Sequence, residues 1–162
     1  IKFTDTKEIG TEDALFNIQY LEFAEKVNVL NIPLYNYLKN NYESLTKLYK
    51  PNLFQQWKNL YSKISDLIQL KNGEFKKALN NRIALSIIGL SLNETFSDKS
   101  FSEKKNKISE ILHDDFYQKA YQDLDLKYFP LHWKLFFFFA KNKWCVSLLM
   151  MAIVMRFLIN KK

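Results

Sequence analysis

Ala14, Leu15, Ile18 and Leu21 recur at helical spacing just after Thr11, Glu12 and Asp13, so a helix is expected to start at Glu12. Thr11 stands where a side-chain cap belongs, and the two acids complement the positive end of such a helix. In "KVNVLNIPLYNYL" the period changes. Val27 and Val29 alternate, Pro33 interrupts, and Leu34, Tyr35 and Tyr37 follow. This predicts a short β element around 27–38, with Pro33 at an edge or turn. A polar connection, "KNNYESLTKLYKP", ends at Pro51, a residue suited to the first turn of the next helix.

Between Asn52 and Leu70, Phe54, Trp57, Leu60, Tyr61, Ile64, Leu67 and Ile68 form one apolar helical stripe. Asn72-Gly73 reads as a helix stop, and Phe75, Leu79, Ile83 and Ile87 mark a second stripe over 74–92. Ser100 and Glu103 have the spacing of a capping box. They open a third helix through Ile108, Ile111 and Leu112, continuing or restarting through Phe116 and Ala120. Pro130 breaks the chain before an apolar tail. No internal repeat, low-complexity tract or interdomain linker is visible. The fold class is mainly α, divided into residues 1–50, a helical region over 51–129 and a basic apolar tail over 130–162.

Composition supports that reading. With 48% hydrophobic residues, 162 residues can close a core, and three Gly with three Pro argue against a turn-rich all-β chain. The one cysteine, Cys145, excludes an internal disulfide and fits a reducing compartment. Two histidines and one cysteine, far apart, make no zinc-type cluster. Ile1 is not an initiator Met and no signal peptide follows it, so a processed piece or a fragment of something longer is expected. Charge is uneven. Residues 1–43 hold four basic and seven acidic side chains, and residues 44–129 hold fourteen and ten. Residues 130–162 hold six basic and none acidic, an end attracted to an anionic surface.

The candidate chemistry lies in "IGTEDALFNIQYL". Glu12 and Asp13 are either ordinary first-turn acids or working carboxylates, and the residues alone leave both open. Gly10, Glu12-Asp13, Phe16-Asn17, Leu34-Tyr35-x-Tyr37 and Ser44-Leu45-Thr46 occur in that order. In that series the stretch from Phe3 to about Tyr61 resembles the C-terminal half of bacterial family 2 glycosyltransferases, particularly those building capsular or extracellular polysaccharides. The resemblance implies the helical C-terminal portion of a GT-A-type α/β enzyme, with residues 1–50 a remnant of the catalytic domain. It implies an inverting transferase that moves a sugar from a nucleotide-sugar donor to a sugar or lipid-linked acceptor. Asp13 would be the general base on the acceptor hydroxyl, and Glu12 would orient the acceptor or satisfy backbone donors.

Two departures from the family pattern matter. Members often place an Arg just after the second Tyr, facing the donor's diphosphate. Leu38 stands there and Lys39 follows, a point charge without a bidentate fork. Lys39 is a candidate donor contact or an ordinary surface lysine, and Ser44 and Thr46 read as turn or cap residues. The family also carries an upstream nucleotide-binding region with an Asp-x-Asp motif that holds Mg²⁺ or Mn²⁺ on the diphosphate. Asp123-Leu124-Asp125 follows the Glu-Asp motif instead of preceding it and reads as a solvated helix end. The metal is therefore expected on residues absent from this chain, and the chain alone is expected to be inactive.

The tail, "LHWKLFFFFAKNKWCVSLLMMAIVMRFLINKK", is too short in its apolar run to span a bilayer. Lys134, Lys141, Lys143, Arg156, Lys161 and Lys162 surround the apolar groups, and Trp133 and Trp144 suit the headgroup level. Helices lying in the interface on the cytoplasmic face of the cell membrane are expected, the alternative being a tail packed as ordinary core. His132 and Cys145 read as packing residues. The rival function is a non-enzymatic helical module that binds a membrane or another protein. Nucleic-acid binding draws on net charge alone and is set aside.

Overall fold

A computed structural model describes residues 2–35, 48–68, 73–122 and 124–160. Among them the chain forms helices α1 (Thr6–Ile9), α2 (Glu12–Leu21), α3 (Leu53–Ile68), α4 (Gly73–Thr95), α5 (Phe101–His113), α6 (Asp115–Gln122), α7 (Leu131–Lys141) and α8 (Cys145–Asn160). The protein is mainly α, and no strand occurs among the described residues. The β element expected around 27–38 is not formed over 27–35, and 36–38 lie outside the described residues. Alternation at Val27 and Val29 can build a strand only against a neighbour that completes its ladder, and Pro33 removes one donor from any such ladder.

Helix α4 is the central element, packed against α3, α5, α6 and α8. Its Ile83, Ala84, Ile87 and Leu90 are buried, while the first residue of its stripe, Phe75, stays exposed. Phe54, Leu60, Tyr61 and Ile64 of α3 are also buried. Ile108, Ile111 and Leu112 of α5, Tyr117 and Ala120 of α6, Phe136 and Phe137 of α7, and Leu148 and Leu149 of α8 complete one continuous core. Each large side chain so enclosed contributes about 1.5–3 kcal/mol over an exposed position. Ile9 and Leu15 join that core from α1 and α2.

The helix boundaries have local causes. The Ser100–Glu103 capping box is complete: the Ser100 hydroxyl accepts from the Glu103 N–H, and the Glu103 carboxylate accepts from the Ser100 N–H at 2.9 Å. The Ser100 hydroxyl also donates to the Glu103 carboxylate at 2.6 Å, and this bond first, then that from the Ser100 N–H, favours the charged form and lowers the Glu103 pKa. Asp114 ends α5 in an extended conformation and starts α6 by accepting from the Phe116 N–H at 3.0 Å. Its other oxygen takes Lys58 of α3 at 2.7 Å. Gly73 is the first residue of α4, and Asn72, the other half of the expected helix stop, lies outside the described residues.

The end of α4 forms a clamp of polar groups. Asn93 donates to the Lys50 carbonyl and accepts from the Lys50 N–H, both at 2.9 Å. Buried Glu94 lies 3.6 Å from Lys99 Nζ, which also donates to the Tyr49 hydroxyl. That hydroxyl bond, foremost, raises the Lys99 pKa. The guanidinium of Arg156, from α8, donates to the Thr95 carbonyl and stands 4.6 Å from the Phe96 ring centroid. The entry to α3 and the last turns of α8 are thus both fastened to one helix end.

Candidate functional site

The turn before α2 is built from the backbone up. Asp5 caps α1 by accepting from the Lys7 N–H at 2.8 Å. Gly10 closes α1 at φ 74°, a left-handed conformation that a side chain disfavours, and its N–H returns to the Thr6 carbonyl at 2.7 Å. Fully buried Ile9 pins this turn to the core. From α3, Gln56 donates to the Lys7 carbonyl at 3.0 Å, Asn59 donates to the Glu8 carbonyl at 3.2 Å, and Lys63 pairs with Glu8 at 3.0 Å. Three side chains of one helix therefore fix where α2 begins.

Thr11 occupies the cap position, but its side chain makes no capping bond, contrary to the sequence expectation. Its carbonyl accepts from the Ala14 N–H at 3.3 Å instead. Glu12 and Asp13 follow in the first turn of α2, with Glu12 half-buried and Asp13 exposed. Asp13 Oδ1 accepts from the Ala14 N–H at 2.9 Å, which fixes one oxygen beside the positive helix end. The arrangement presents an oriented, water-accessible carboxylate capable of accepting a proton.

A feature the sequence reading missed lies beside it. Phe16 stacks on Phe3 with centroids 4.3 Å apart and planes within 3°, and Tyr20 continues the ladder at 6.3 Å. Asp13, Phe16 and Tyr20 are spaced three and four residues apart, so they share one face of α2. The helical spacing of Phe16 and Tyr20 was a usable signal, but Phe3 reaches Phe16 only through the path of α1. Farther along α2, Ile18 and Leu21 meet Ile64 and Leu67 of α3 and Leu79 of α4 around an open apolar groove of about 500 Å³.

Several of the remaining candidates lie outside the described residues. Lys39, with Tyr37, Ser44 and Thr46, lies outside the described residues. Asp123 does too, while Asp125 is exposed beyond the end of α6 and accepts from the Lys127 N–H at 2.8 Å. Among the described residues no group of three His, Cys, Asp or Glu side chains could hold a metal ion. His132 is exposed with its ring tilted against Trp133, centroids 5.5 Å apart, whereas Cys145 is half-buried with its thiol on the Lys143 carbonyl at 3.2 Å.

No family model matches the chain, and no solved structure matches it. Over 110 residues, 68% of its length, it is 24% identical to the Fanconi anemia group I protein of Gallus gallus. The matched region is 8% of that much longer protein. A likeness of that level and extent is a similarity of sequence and assigns the chain to no family.

Proposed function

We propose that the chain is the acceptor-side part of an inverting glycosyltransferase that moves a sugar from a nucleotide-sugar donor to a polysaccharide or lipid-linked acceptor. The observation that carries this reading is the placement of Asp13. Its exposed carboxylate stands in the first turn of α2, after a left-handed Gly10, within a motif order that resembles family 2 transferases. In the proposed reaction Asp13 takes the proton of an acceptor hydroxyl while that oxygen bonds to the anomeric carbon. The bond from this carbon to the nucleoside diphosphate breaks, and its electron pair leaves with the diphosphate. Half-buried Glu12 helps orient the acceptor, and the Phe3–Phe16–Tyr20 ladder offers ring faces to the apolar face of a sugar. The resemblance puts the Mg²⁺ or Mn²⁺ of this chemistry on donor-binding residues outside this chain.

A positioned base contributes about 10²–10⁴-fold to such a step. In a polypeptide that also carries the donor-binding half, Asp13→Asn is expected to lower kcat by at least about 100-fold. Donor Kd, read by titration, should stay near the parent value because Asp13 faces the acceptor. Near-normal turnover would discard Asp13 as the base. A second reading, a non-enzymatic helical module for a membrane or a protein, is favoured by the exposed apolar residues of α8. There Asp13 merely starts a helix, and no Asp13-dependent turnover is found.

A further inference from the structure

Helix α8 has two apolar faces. Leu148, Leu149 and Ala152 are fully enclosed by the core. Along the outside, Val146, Met150, Val154 and Leu158 recur at every fourth position and are 50%, 51%, 55% and 58% exposed, with Ile153 beside them. A helix bordering water normally carries polar residues there. Arg156, the one charged residue of α8, is drawn away to Thr95 and Phe96, so it does not interrupt the outer row. At 16 residues α8 is about 24 Å long, short of the roughly 30 Å hydrocarbon core of a bilayer. No described helix is long and apolar enough to cross a membrane.

The start of this row carries positive charge. Lys105 and Lys143 border an open depression that is also lined by Ser109, His113, Trp144 and Val146, and no carboxylate lines it among the described residues. Trp144 is half exposed and packs edge-on against Phe138 at 5.6 Å, so its ring stands where the depression meets α8. On α7, Lys134 and Lys141 are exposed with Leu135 and Phe138 between them. Apolar side chains with ammonium groups at their edge, and no acid anywhere in 130–162, complement lipid tails and lipid phosphates together.

We propose that the outer row of α8 docks this protein on an anionic bilayer surface, with lipid phosphates held by Lys105 and Lys143 beside Trp144. Helix α8 then lies along the membrane, its outer side chains in the acyl boundary and its inner ones in the protein core. The inference rests on α5, α7 and α8, and is independent of the transferase reading.

The test sediments the full chain with vesicles of phosphatidylglycerol and phosphatidylcholine, and with vesicles of phosphatidylcholine alone. Partition is expected to be at least about tenfold higher on the anionic vesicles. The pair Met150→Asp and Val154→Asp should lower it by about tenfold or more, as should Lys105→Glu with Lys143→Glu. All four positions lie off the closed core, and unchanged helical circular dichroism verifies folding. Asp13→Asn should leave partition untouched, which separates this proposal from the transferase reading. Failure to bind anionic vesicles overturns the proposal, as does binding that either double variant leaves unchanged. A concentration-dependent dimer broken by Met150→Asp, with no vesicle binding, also overturns it.

Discussion

The helices from α3 onward and the segment that follows α2 are both rich in apolar residues, yet they meet water very differently. Ile87, Leu112, Phe136 and Leu149 have no more than about 0% exposure, whereas Val29 is 91% exposed and Val27, Leu30, Ile32 and Leu34 are each above half. Apolar content therefore does not by itself make a core. A helical period presents a stripe that another helix of the same chain can cover. A two-residue period needs both a covering layer and a neighbouring strand, and no described residue forms a strand. The helices from α3 onward close a shared core, while the apolar side chains of residues 27–34 are covered by no described residue.

The sharpest way to break that contrast is to remove one large side chain from each region. Phe136 is fully buried, with Phe137 at 5.5 Å and Trp133 at 5.8 Å. Phe136→Ala should cost about 3–5 kcal/mol, read as a lowered midpoint in urea unfolding. Val29→Ser should move the same curve by less than about 0.5 kcal/mol. A loss of more than 1 kcal/mol at Val29, on the order of a typical core change, would show that the segment is covered after all.

A close approach inside the body gives the next effect. A Cβ built on Gly89 in α4 would stand 2.6 Å from the Trp57 ring of α3. Helix propensity favours alanine over glycine by about 1 kcal/mol, so an open site would gain stability from the change. Overpacking costs about 1–3 kcal/mol, and the ring atom has to move by several tenths of an ångström. Gly89→Ala is therefore expected to destabilise despite the propensity. Combining it with Trp57→Leu should recover most of the loss, the non-additivity being the signature of direct contact.

What the sequence made legible follows the same division. The stripes through Phe54–Ile64 and Ile83–Ile87 and the Ser100–Glu103 box are local patterns, and local physics formed α3, α4 and α5 on them. The clamp from Asn93 to Lys50 joins residues forty-three apart and has no local signature. Among apolar neighbours Arg156 reads as a membrane-facing cation, but the carbonyl of buried Thr95 at the end of α4 gives it a better partner. At the candidate site, the position of Glu12 and Asp13 at a helix start could be read directly. The absent Thr11 cap could not, because the α3 side chains that hold the Lys7 and Glu8 carbonyls set the backbone ahead of it.

The smallest effects separate two buried phenols of α6. Burial raises the pKa of Tyr117 and of Tyr121 above the ordinary tyrosine value near 10. Tyr117 shares a 2.8 Å hydrogen bond with Ser86, while the buried Tyr121 hydroxyl has no hydrogen-bond partner among the described residues. Tyr117→Phe should cost about 0.5–1.5 kcal/mol at neutral pH, since Ser86 keeps its bond to the Ile83 carbonyl. Tyr121→Phe should be within about 0.5 kcal/mol of the parent, because it removes a desolvated group that gains nothing in return. The pH dependence follows from the raised pKa values. Above about pH 10 the unfolded chain releases phenolic protons that the folded chain retains, so the folded state holds more protons. Stability is then full below that pH and falls as pH rises further. Both variants should flatten this alkaline decline in urea unfolding series. A decline unchanged in each would mean that neither phenol is enclosed, and that the core opens at α6 much as the chain does beyond α2.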